Sequence, residues 1–306
     1  MLTKEALREY ALDVVGVDKL GVANIERFDG APADMDPRNV MPKARSVVVF
    51  AKRILRGTFR GVDEGTHWPS YHVYSYAGLN HMLGVANYRL ARFIEQNGFD
   101  ACSLSAKATS REFGPSGPPP APGMPPHDVV VQFRIAATLA GLGEMGWSKV
   151  FMTREFGPRQ RLGILLTDAE LEPDPIIEPG TICDRCKLCA RDCTGNAIPV
   201  DKTVKINLAG HEVEWADIDY DLCSRYFCGM SPEYNPFMTN FPEDEEGFAQ
   251  EVSKGQRYKV GPTYDYGRAL EGARGCIRAC MMHLEEQGKI ENTFKHPFRR
   301  RPAWKL

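Results

Sequence analysis

The chain has 306 residues, of which 43% are hydrophobic and 25% charged, and its formal net charge is −2 at pH 7. This composition is typical of a globular protein with one large domain or two ordinary ones. The near-neutral charge gives no electrostatic reason to expect nucleic acid or an anionic membrane as the main partner. No run approaches the roughly 20 apolar residues that a membrane span needs.

The chain begins with a predicted amphipathic helix, with Thr3 as its N-cap and with Leu7, Tyr10, Ala11 and Val14 on one face. This segment lacks the continuous apolar core of a signal peptide and the twin arginine of an exported protein. We therefore expect a cytoplasmic protein. In a reducing compartment, nine cysteines favour metal or redox chemistry over a disulfide framework.

Helix and strand patterns alternate in the first part of the chain. An apolar run at 44–54 predicts a buried strand, and residues 76–98 predict a helix that ends at Gly98. Another strand is predicted at 99–106. The proline-rich segment 114–126 cannot form a regular element, and it is interpreted as either a surface linker or a rigid loop lining a pocket. The fold class predicted is α/β or α+β.

Two further segments lead into the cysteine-rich part. Residues 128–146 predict a helix that runs into a glycine turn, and residues 161–174 predict a strand and a turn. Gly141, Gly143 and Gly146 match the pattern G-x-G-x-x-G. They follow a helix-like segment and not a strand, so the pattern does not indicate a dinucleotide-binding fold.

Four cysteines occur within eleven residues, at the spacing C-x2-C-x2-C-x3-C. Three thiolates separated by two residues each can hold three corners of a [4Fe–4S] cubane, and the fourth ligates the other cluster in two-cluster proteins. Zinc normally takes cysteine pairs separated by a longer loop. The spacing therefore favours iron–sulfur clusters over zinc and over free buried thiols. The four residues are Cys183, Cys186, Cys189 and Cys193.

Two cubanes need eight thiolates, and eight cysteines remain when the solitary Cys102 is set aside. Cys276 and Cys280 repeat the x3 spacing of the first motif. The same crossing of ligands between clusters predicts that Cys280 completes the set of the first three cysteines. The second set would be Cys193, Cys223, Cys228 and Cys276. Cys102 is interpreted as an ordinary core residue.

A resemblance to a known family is carried by residues 136–168, which read "AATLAGLGEMGWSKVFMTREFGPRQRLGILLTD" and precede the cluster motif. This stretch resembles the corrinoid-dependent reductive dehalogenases and is similar, more loosely, to epoxyqueuosine reductase. The resemblance implies a corrinoid-binding domain related to the nitroreductase fold over residues 1–174. It implies a ferredoxin-like domain with two [4Fe–4S] clusters over residues 175–306.

The activity implied by the resemblance is a reductive cleavage of a small organic substrate. Electrons would pass through the clusters to a base-off corrinoid, cobalamin or a relative of it, from a donor such as ferredoxin or flavodoxin. Two alternatives stay open. One is an iron–sulfur electron-transfer protein without substrate chemistry of its own, and the other is a relative that binds flavin instead of corrinoid.

The sequence departs from the family pattern in several places. Ala273 stands where the second cysteine motif has its first cysteine, Met281 replaces the proline of that motif, and Cys228 is expected to supply the missing ligand. The dehalogenase tyrosine proton donor has no counterpart, because no tyrosine occurs between Tyr88 and Tyr220. Without a twin-arginine signal or helical repeats for tRNA, we expect neither an exported respiratory dehalogenase nor a tRNA-modifying enzyme.

The candidate proton donors are Asp128 and His127, which lie near the position of the acid in epoxyqueuosine reductase. Asp128 could instead cap the following helix, and His127 could be an exposed loop residue. The run at 67–76 offers Tyr71, Tyr74 and Tyr76 as further donors, or as aromatic core.

Arginines form the other candidate group, because a guanidinium suits an anionic substrate or a developing negative charge. Arg159 and Arg161 are the catalytic candidates, and surface ion pairs with Glu155 or Asp168 are the alternative. Lys149 is a weaker candidate of the same kind. The predicted cofactor-binding residues are Gly141, Leu142, Gly143, Gly146 and Arg154.

Overall fold

The computed structural model describes residues 2–104, 118–125, 127, 129–227 and 270–300. The strands are β1 (Lys19–Asn24), β2 (Ser46–Arg53), β3 (Ala101–Leu104), β4 (Glu144–Met145), β5 (Phe151–Met152), β6 (Gln160–Thr167), β7 (Thr203–Leu208) and β8 (His211–Ala216). The α-helices are α1 (Lys4–Glu9), α2 (Arg60–Glu64), α3 (Pro69–Tyr71), α4 (Gly78–Gln96), α5 (Phe133–Leu139), α6 (Leu188–Arg191), α7 (Tyr220–Phe227), α8 (Leu270–Arg274) and α9 (Cys276–Glu286). Turns of 3-10 helix lie at Ile25–Phe28, Pro37–Asn39 and Arg56–Phe59, and π-helical turns lie at Tyr10–Val15 and His72–Ala77.

The central sheet has the order β1-β2-β6-β3, and each described neighbour pair in it is antiparallel. Strand β2 is buried on both faces. Val48 packs with the apolar side of α4, whereas Val47 and Val49 pack with α5. Burial on both faces explains why the predicted strand reads as an unbroken apolar run. The architecture is a mixed α+β fold, and the alternation of helices and strands does not produce parallel pairs in this sheet.

The predicted helix at 76–98 is confirmed as α4. Gly98 follows it with a φ of +86°, a left-handed conformation that glycine adopts without strain. None of the described helices is both long and apolar enough to cross a lipid bilayer. The five apolar positions that predicted α4 are all buried: Leu79, Leu83, Ala86, Leu90 and Ile94.

Two of the predicted helices differ from expectation at their ends. Thr3 caps α1 by accepting from the Ala6 N–H at 3.1 Å, but Val14 is 53% exposed. The π-helical turn after α1 adds a residue to that turn and rotates Val14 off the apolar face. Helix α5 begins at Phe133 with Gln132 as its N-cap, so the prediction that Asp128 caps this helix is wrong. Asp128 itself lies outside the described residues.

Helix α9, which carries Cys276 and Cys280, is fixed to the N-terminal part of the chain by two ion pairs. Arg278 contacts Asp63 of α2 at 2.6 Å, and both side chains are buried. Arg56 donates two hydrogen bonds of 2.7 Å to the two oxygens of Glu285. Paired geometry of this kind offsets part of the desolvation cost of the buried charges.

Apolar contacts reinforce the same attachment. Ala273 and Met281, the two residues that depart from the family's cysteine motif, are both completely buried. They pack in one cluster with Phe59, Trp68 and Tyr71. Residues on both sides of the predicted domain boundary at 174 therefore share a core, and the boundary itself stays a prediction.

We expect Asp63→Ala to lower the free energy of unfolding by about 3–5 kcal/mol, because it leaves the Arg278 charge buried without its partner. Urea denaturation of the anaerobically purified protein would measure this. Glu286→Ala is the matched control, since Glu286 pairs with Arg300 at 3.1 Å in an exposed setting, and its cost should be at most about 1 kcal/mol. Equal costs for the two variants would contradict the structural role of the Asp63 pair.

Candidate cluster and cofactor site

The Cys280 thiol lies beside the thiols of the first cysteine motif. Burial raises the pKa of Cys280 well above its ordinary value, and the negative charges of nearby Cys183, Cys189 and Cys186 raise it further. Thiols that disfavour one another's ionisation are stabilised as thiolates when they share a cation. The chemistry of this four-thiol set fits the predicted cluster of Cys183, Cys186, Cys189 and Cys280.

A second group of thiols is centred on Cys193. The small apolar cluster that includes Cys189 and contacts Cys183 of the first set also brings together Cys193, Cys223 of α7 and Cys276 of α9. These three belong to the predicted second set. The fourth member, Cys228, lies outside the described residues. Iron binding by either set stays a prediction.

The short hairpin β4–β5 supports the first set from one side. Glu144 pairs with Met152 across the hairpin, and the Met152 sulfur lies 3.4 Å from the Cys280 sulfur. The two strands approach so closely at Gly143 that a Cβ there would lie 1.9 Å from the Met152 carbonyl oxygen. The glycine therefore permits the approach that places Met152 against Cys280.

Glu144 holds the chain segment that enters the cysteine motif. Its side chain is buried, with the residue 4% exposed. The carboxylate accepts hydrogen bonds from the backbone N–H groups of Gly180 at 2.7 Å, Ile182 at 2.6 Å and Cys183. One side chain thus satisfies three main-chain donors that have no place in a helix or strand.

The turn after β4 supplies hydrogen bonds to the thiols. Burial raises the pKa of Cys183, and hydrogen bonds from the backbone N–H groups of Trp147 and Arg185 lower it. Burial also raises the pKa of Cys189 to about 11, while the Ser148 hydroxyl opposes this as a donor. Such donors favour thiolate sulfur, as a metal cluster requires.

Most of the predicted cofactor-binding residues pack against other parts of the chain. A Cβ on Gly141, whose φ is +70°, would lie 2.2 Å from the Pro175 carbonyl oxygen, and one on Gly146 would lie 2.7 Å from Met152 Cε. Leu142 is buried in the core beside the sheet, and Arg154 is exposed. Packing within the chain accounts for these glycines and for Leu142, so their contact with a cofactor stays a prediction.

Arg159, one of the two predicted catalytic arginines, is enclosed within the fold, and its catalytic role stays a prediction. It is 1% exposed, and its guanidinium donates to the Ile54 carbonyl at 3.0 Å and to Asn292 Oδ1 at 2.9 Å. Burial lowers the pKa of Arg159 to about 10. A side chain enclosed in this way joins the end of β2 to the C-terminal segment.

The ion pairs offered as the alternative role of the arginines are also wrong. Glu155 pairs with Lys19 at 2.7 Å, and Asp168 accepts from the Asp100 N–H at 2.9 Å. Arg161 instead donates to the Ser75 carbonyl at 2.9 Å.

Arg161 is the predicted catalytic arginine that the structure places near the thiols. Its guanidinium lies 4.5 Å from the centre of the Tyr76 ring. Burial raises the pKa of Tyr71 to about 12, while the charge of Arg161 lowers it and Cys276 raises it. Arg161, Tyr71 and Cys276 are therefore electrostatic neighbours, and the aromatic run at 67–76 contributes to this part of the site.

Arg134 and Tyr220 are neighbours of this site that sequence reasoning missed. The Arg134 side chain of α5 is accessible to solvent, yet desolvation by the protein around it lowers its pKa. Arg161 lowers that pKa further, while Tyr220, Cys276 and Cys223 raise it. Arg134 is therefore a solvent-accessible cation that lies near Cys223 and Cys276. An isolated arginine on a predicted helix gives no sequence signal for such a position.

Lys149 completes the cationic group. Its Nζ donates to the Tyr220 hydroxyl at 2.7 Å and lies 4.7 Å from the centre of the Trp215 ring. Desolvation lowers the pKa of Lys149 to about 8, and the charge of Arg134 acts in the same direction. Lys149 was a weaker candidate in the sequence, and the structure places it with Arg134.

The remaining candidates lie elsewhere or outside the described residues. His127 is exposed in a bend, as the alternative interpretation expected. Asp184, Cys186 and His283 bring three potential ligand atoms within 4.8 Å of one another at the surface. Because Cys186 belongs to the first thiol set, this group is the exposed edge of that set.

Comparison with known proteins agrees with the predicted resemblance and with the fold. No protein-family model matches the chain. The tetrachloroethene reductive dehalogenase of Dehalobacter restrictus is 40% identical over 86 residues, which are 28% of this chain and 15% of that protein. The solved structure of a catabolic reductive dehalogenase matches 97% of this chain and 41% of its own, with a TM-score of 0.54 and 17% identity. An epoxyqueuosine reductase from Bacillus subtilis matches 90% of this chain and 71% of its own, with a TM-score of 0.48 and 18% identity.

The chain is therefore distantly similar to reductive dehalogenases and shares their mixed α+β fold. The predicted resemblance is confirmed at this level. The chain spans less than half the length of the dehalogenase structure that it matches.

We expect Lys149 to lose its proton near pH 8, where an ordinary lysine with a pKa of about 10.4 is still charged. The pKa of Lys149 is lowered because burial and the charge of Arg134 both disfavour the charged amine. The rate of acetylation of Lys149 by acetic anhydride, followed by mass spectrometry against pH, would show this midpoint. Arg134→Gln should move the midpoint upward. A midpoint that is unchanged in this variant would contradict the proximity of the two side chains.

Proposed function

We propose that this protein is a corrinoid and iron–sulfur reductase that reductively cleaves a small organic substrate. The single observation that carries the proposal is the convergence of Cys280 with the three cysteines of the first motif. The spacing of those cysteines is that of a [4Fe–4S] protein, and the similarity to reductive dehalogenases supports the same chemistry. In this proposal the fold comprises a nitroreductase-like domain at 1–174 and a ferredoxin-like domain at 175–306.

The two cluster sets are proposed to relay electrons. The set of Cys183, Cys186, Cys189 and Cys280 includes the exposed Cys186 and would receive electrons from ferredoxin or flavodoxin in the cytoplasm. The other set would lie closer to Arg134, since Cys223 and Cys276 are the thiols whose charges act on Arg134. Its members are Cys193, Cys223, Cys276 and Cys228.

The surface beside the solvent-accessible Arg134 is the proposed place of the corrinoid. When bound, the corrinoid would supply a low-valent cobalt centre for reductive bond cleavage. The residues present fit such a group in charge: the N–H donors of Arg134, Arg161 and Lys149 suit amide, carboxylate and phosphate oxygens. The same cations would hold an anionic group of a substrate.

Proton delivery is assigned to a short set of residues. Asp128 and His127 remain the proposed donors by their order along the chain. Tyr71 is a further candidate, since it is an electrostatic neighbour of Arg161 and Cys276. Burial raises the pKa of Tyr71 to about 12, so its hydroxyl keeps its proton at neutral pH and is available as a donor.

We expect anaerobically purified protein to contain about eight iron atoms and eight acid-labile sulfides per chain, together with cobalt and the absorption bands of cobalamin. Cys280→Ser should remove one cluster and leave about four iron atoms. Cys102→Ser is the matched control and should keep the full iron content, since Cys102 lies in β3 of the central sheet. Stoichiometric zinc would refute the cluster assignment. Flavin bands, or iron–sulfur absorption alone, would refute the corrinoid assignment.

We expect Asp128→Asn to keep both clusters and the corrinoid and to lose most turnover, because an amide does not supply the carboxyl proton. His127→Gln tests the neighbouring residue in the same way. Turnover of a reducible substrate under single-turnover conditions, with iron and cobalt content as the control for folding, would measure the effect. Wild-type rates in both variants would exclude this pair and direct the search to Tyr71.

A further inference from the structure

We propose that Glu144 is a positioning residue for the iron–sulfur centre, which fixes the loop that carries Cys183 and keeps the reduction potential of the Cys183 cluster low. This inference rests on the proposed function, because it assumes a cluster at the first cysteine set. It concerns a residue of the glycine block whose carboxylate has no part in the proposed substrate chemistry.

The geometric argument starts from the loop that enters the cysteine motif. Its residues 172–179 belong to no helix or strand, so its N–H groups need other acceptors. Three N–H groups that follow, on Gly180, Ile182 and Cys183, are directed to the Glu144 carboxylate at 2.7 Å or less. A carboxylate is the one side-chain group that accepts at two oxygens without a competing donor. Glu144 therefore fixes the backbone position of the first cysteine ligand.

The electrostatic argument follows from the same contacts. The carboxylate that holds the Cys183 N–H lies within a few ångströms of the cluster ligand, in a buried setting where charges are weakly screened. Its negative charge disfavours the addition of an electron to the cluster, so it lowers the reduction potential. The Trp147 and Arg185 N–H groups donate hydrogen bonds to the Cys183 sulfur, and such bonds raise the reduction potential. The potential is set by the balance between the carboxylate and these donors.

The test compares three variants by two measurements. Glu144→Gln removes the charge with little change in size. Its amide keeps one oxygen as an acceptor, but its NH₂ group would face a backbone N–H group that is itself a donor. Glu144→Asp keeps the charge and shortens the side chain. Glu178→Gln is the matched control, since it removes one negative charge from an exposed position in the same loop. The measurements are hydrogen–deuterium exchange of the peptide covering 178–184 and the reduction potential of the cluster by redox titration with electron paramagnetic resonance.

The expected result is faster exchange of the 178–184 peptide in both Glu144 variants. The potential should shift upward in Glu144→Gln and stay closer to wild type in Glu144→Asp, while Glu178→Gln should change neither quantity. Wild-type exchange in Glu144→Gln would overturn the positioning role, and an unshifted potential would overturn the tuning role. Wild-type protein that binds no iron would refute the proposed function, and the exchange measurement would still decide whether Glu144 holds the loop.

Discussion

The hydrogen bonds from three backbone N–H groups to the buried Glu144 carboxylate are the contact on which the cysteine site depends. A loop that forms neither helix nor strand leaves its main-chain N–H groups in need of other acceptors. Here the missing acceptors come from β4, a strand of only two residues that is held against β5. The close approach of the strands at Gly143 is what makes this support possible.

The second support of the cysteine site comes from the C-terminal part of the chain. Helix α9 brings Cys276 and Cys280 to the site, and its position is set by the Arg278–Asp63 pair and by core contacts of Met281. Both anchors attach to the N-terminal part of the chain. Cys276 and Cys280 are therefore positioned by contacts with the N-terminal part of the chain as well as by their own helix.

The stretch that resembles the reductive dehalogenases contributes both to the support of the thiols and to the cationic group beside them. The matching sequence blocks fold into the β4–β5 hairpin and β6, which support the thiols and the sheet. Lys149 of the same stretch donates to the Tyr220 hydroxyl. Arg134, just before the stretch, lies near Tyr220, Cys223 and Cys276, so a cationic and aromatic group lies next to the second thiol group.

The sequence by itself determined the elements whose signal is local: the apolar run of β2, the helical spacing of α4 and its end at Gly98, and the cysteine spacing that groups Cys280 with the first motif. It did not determine the exposure of Val14, because a π-helical turn shifts the register without a mark in the pattern. It did not predict the burial of Arg159 either, since the bond from this arginine to the Ile54 carbonyl leaves no mark in the sequence pattern. Only the tertiary structure decided which backbone N–H groups meet the Glu144 carboxylate and which side chains lie beside Arg134 and Lys149. Those contacts join residues far apart in the chain. Hydrogen bonds and burial between distant segments produce no periodic pattern of residues that sequence analysis could detect.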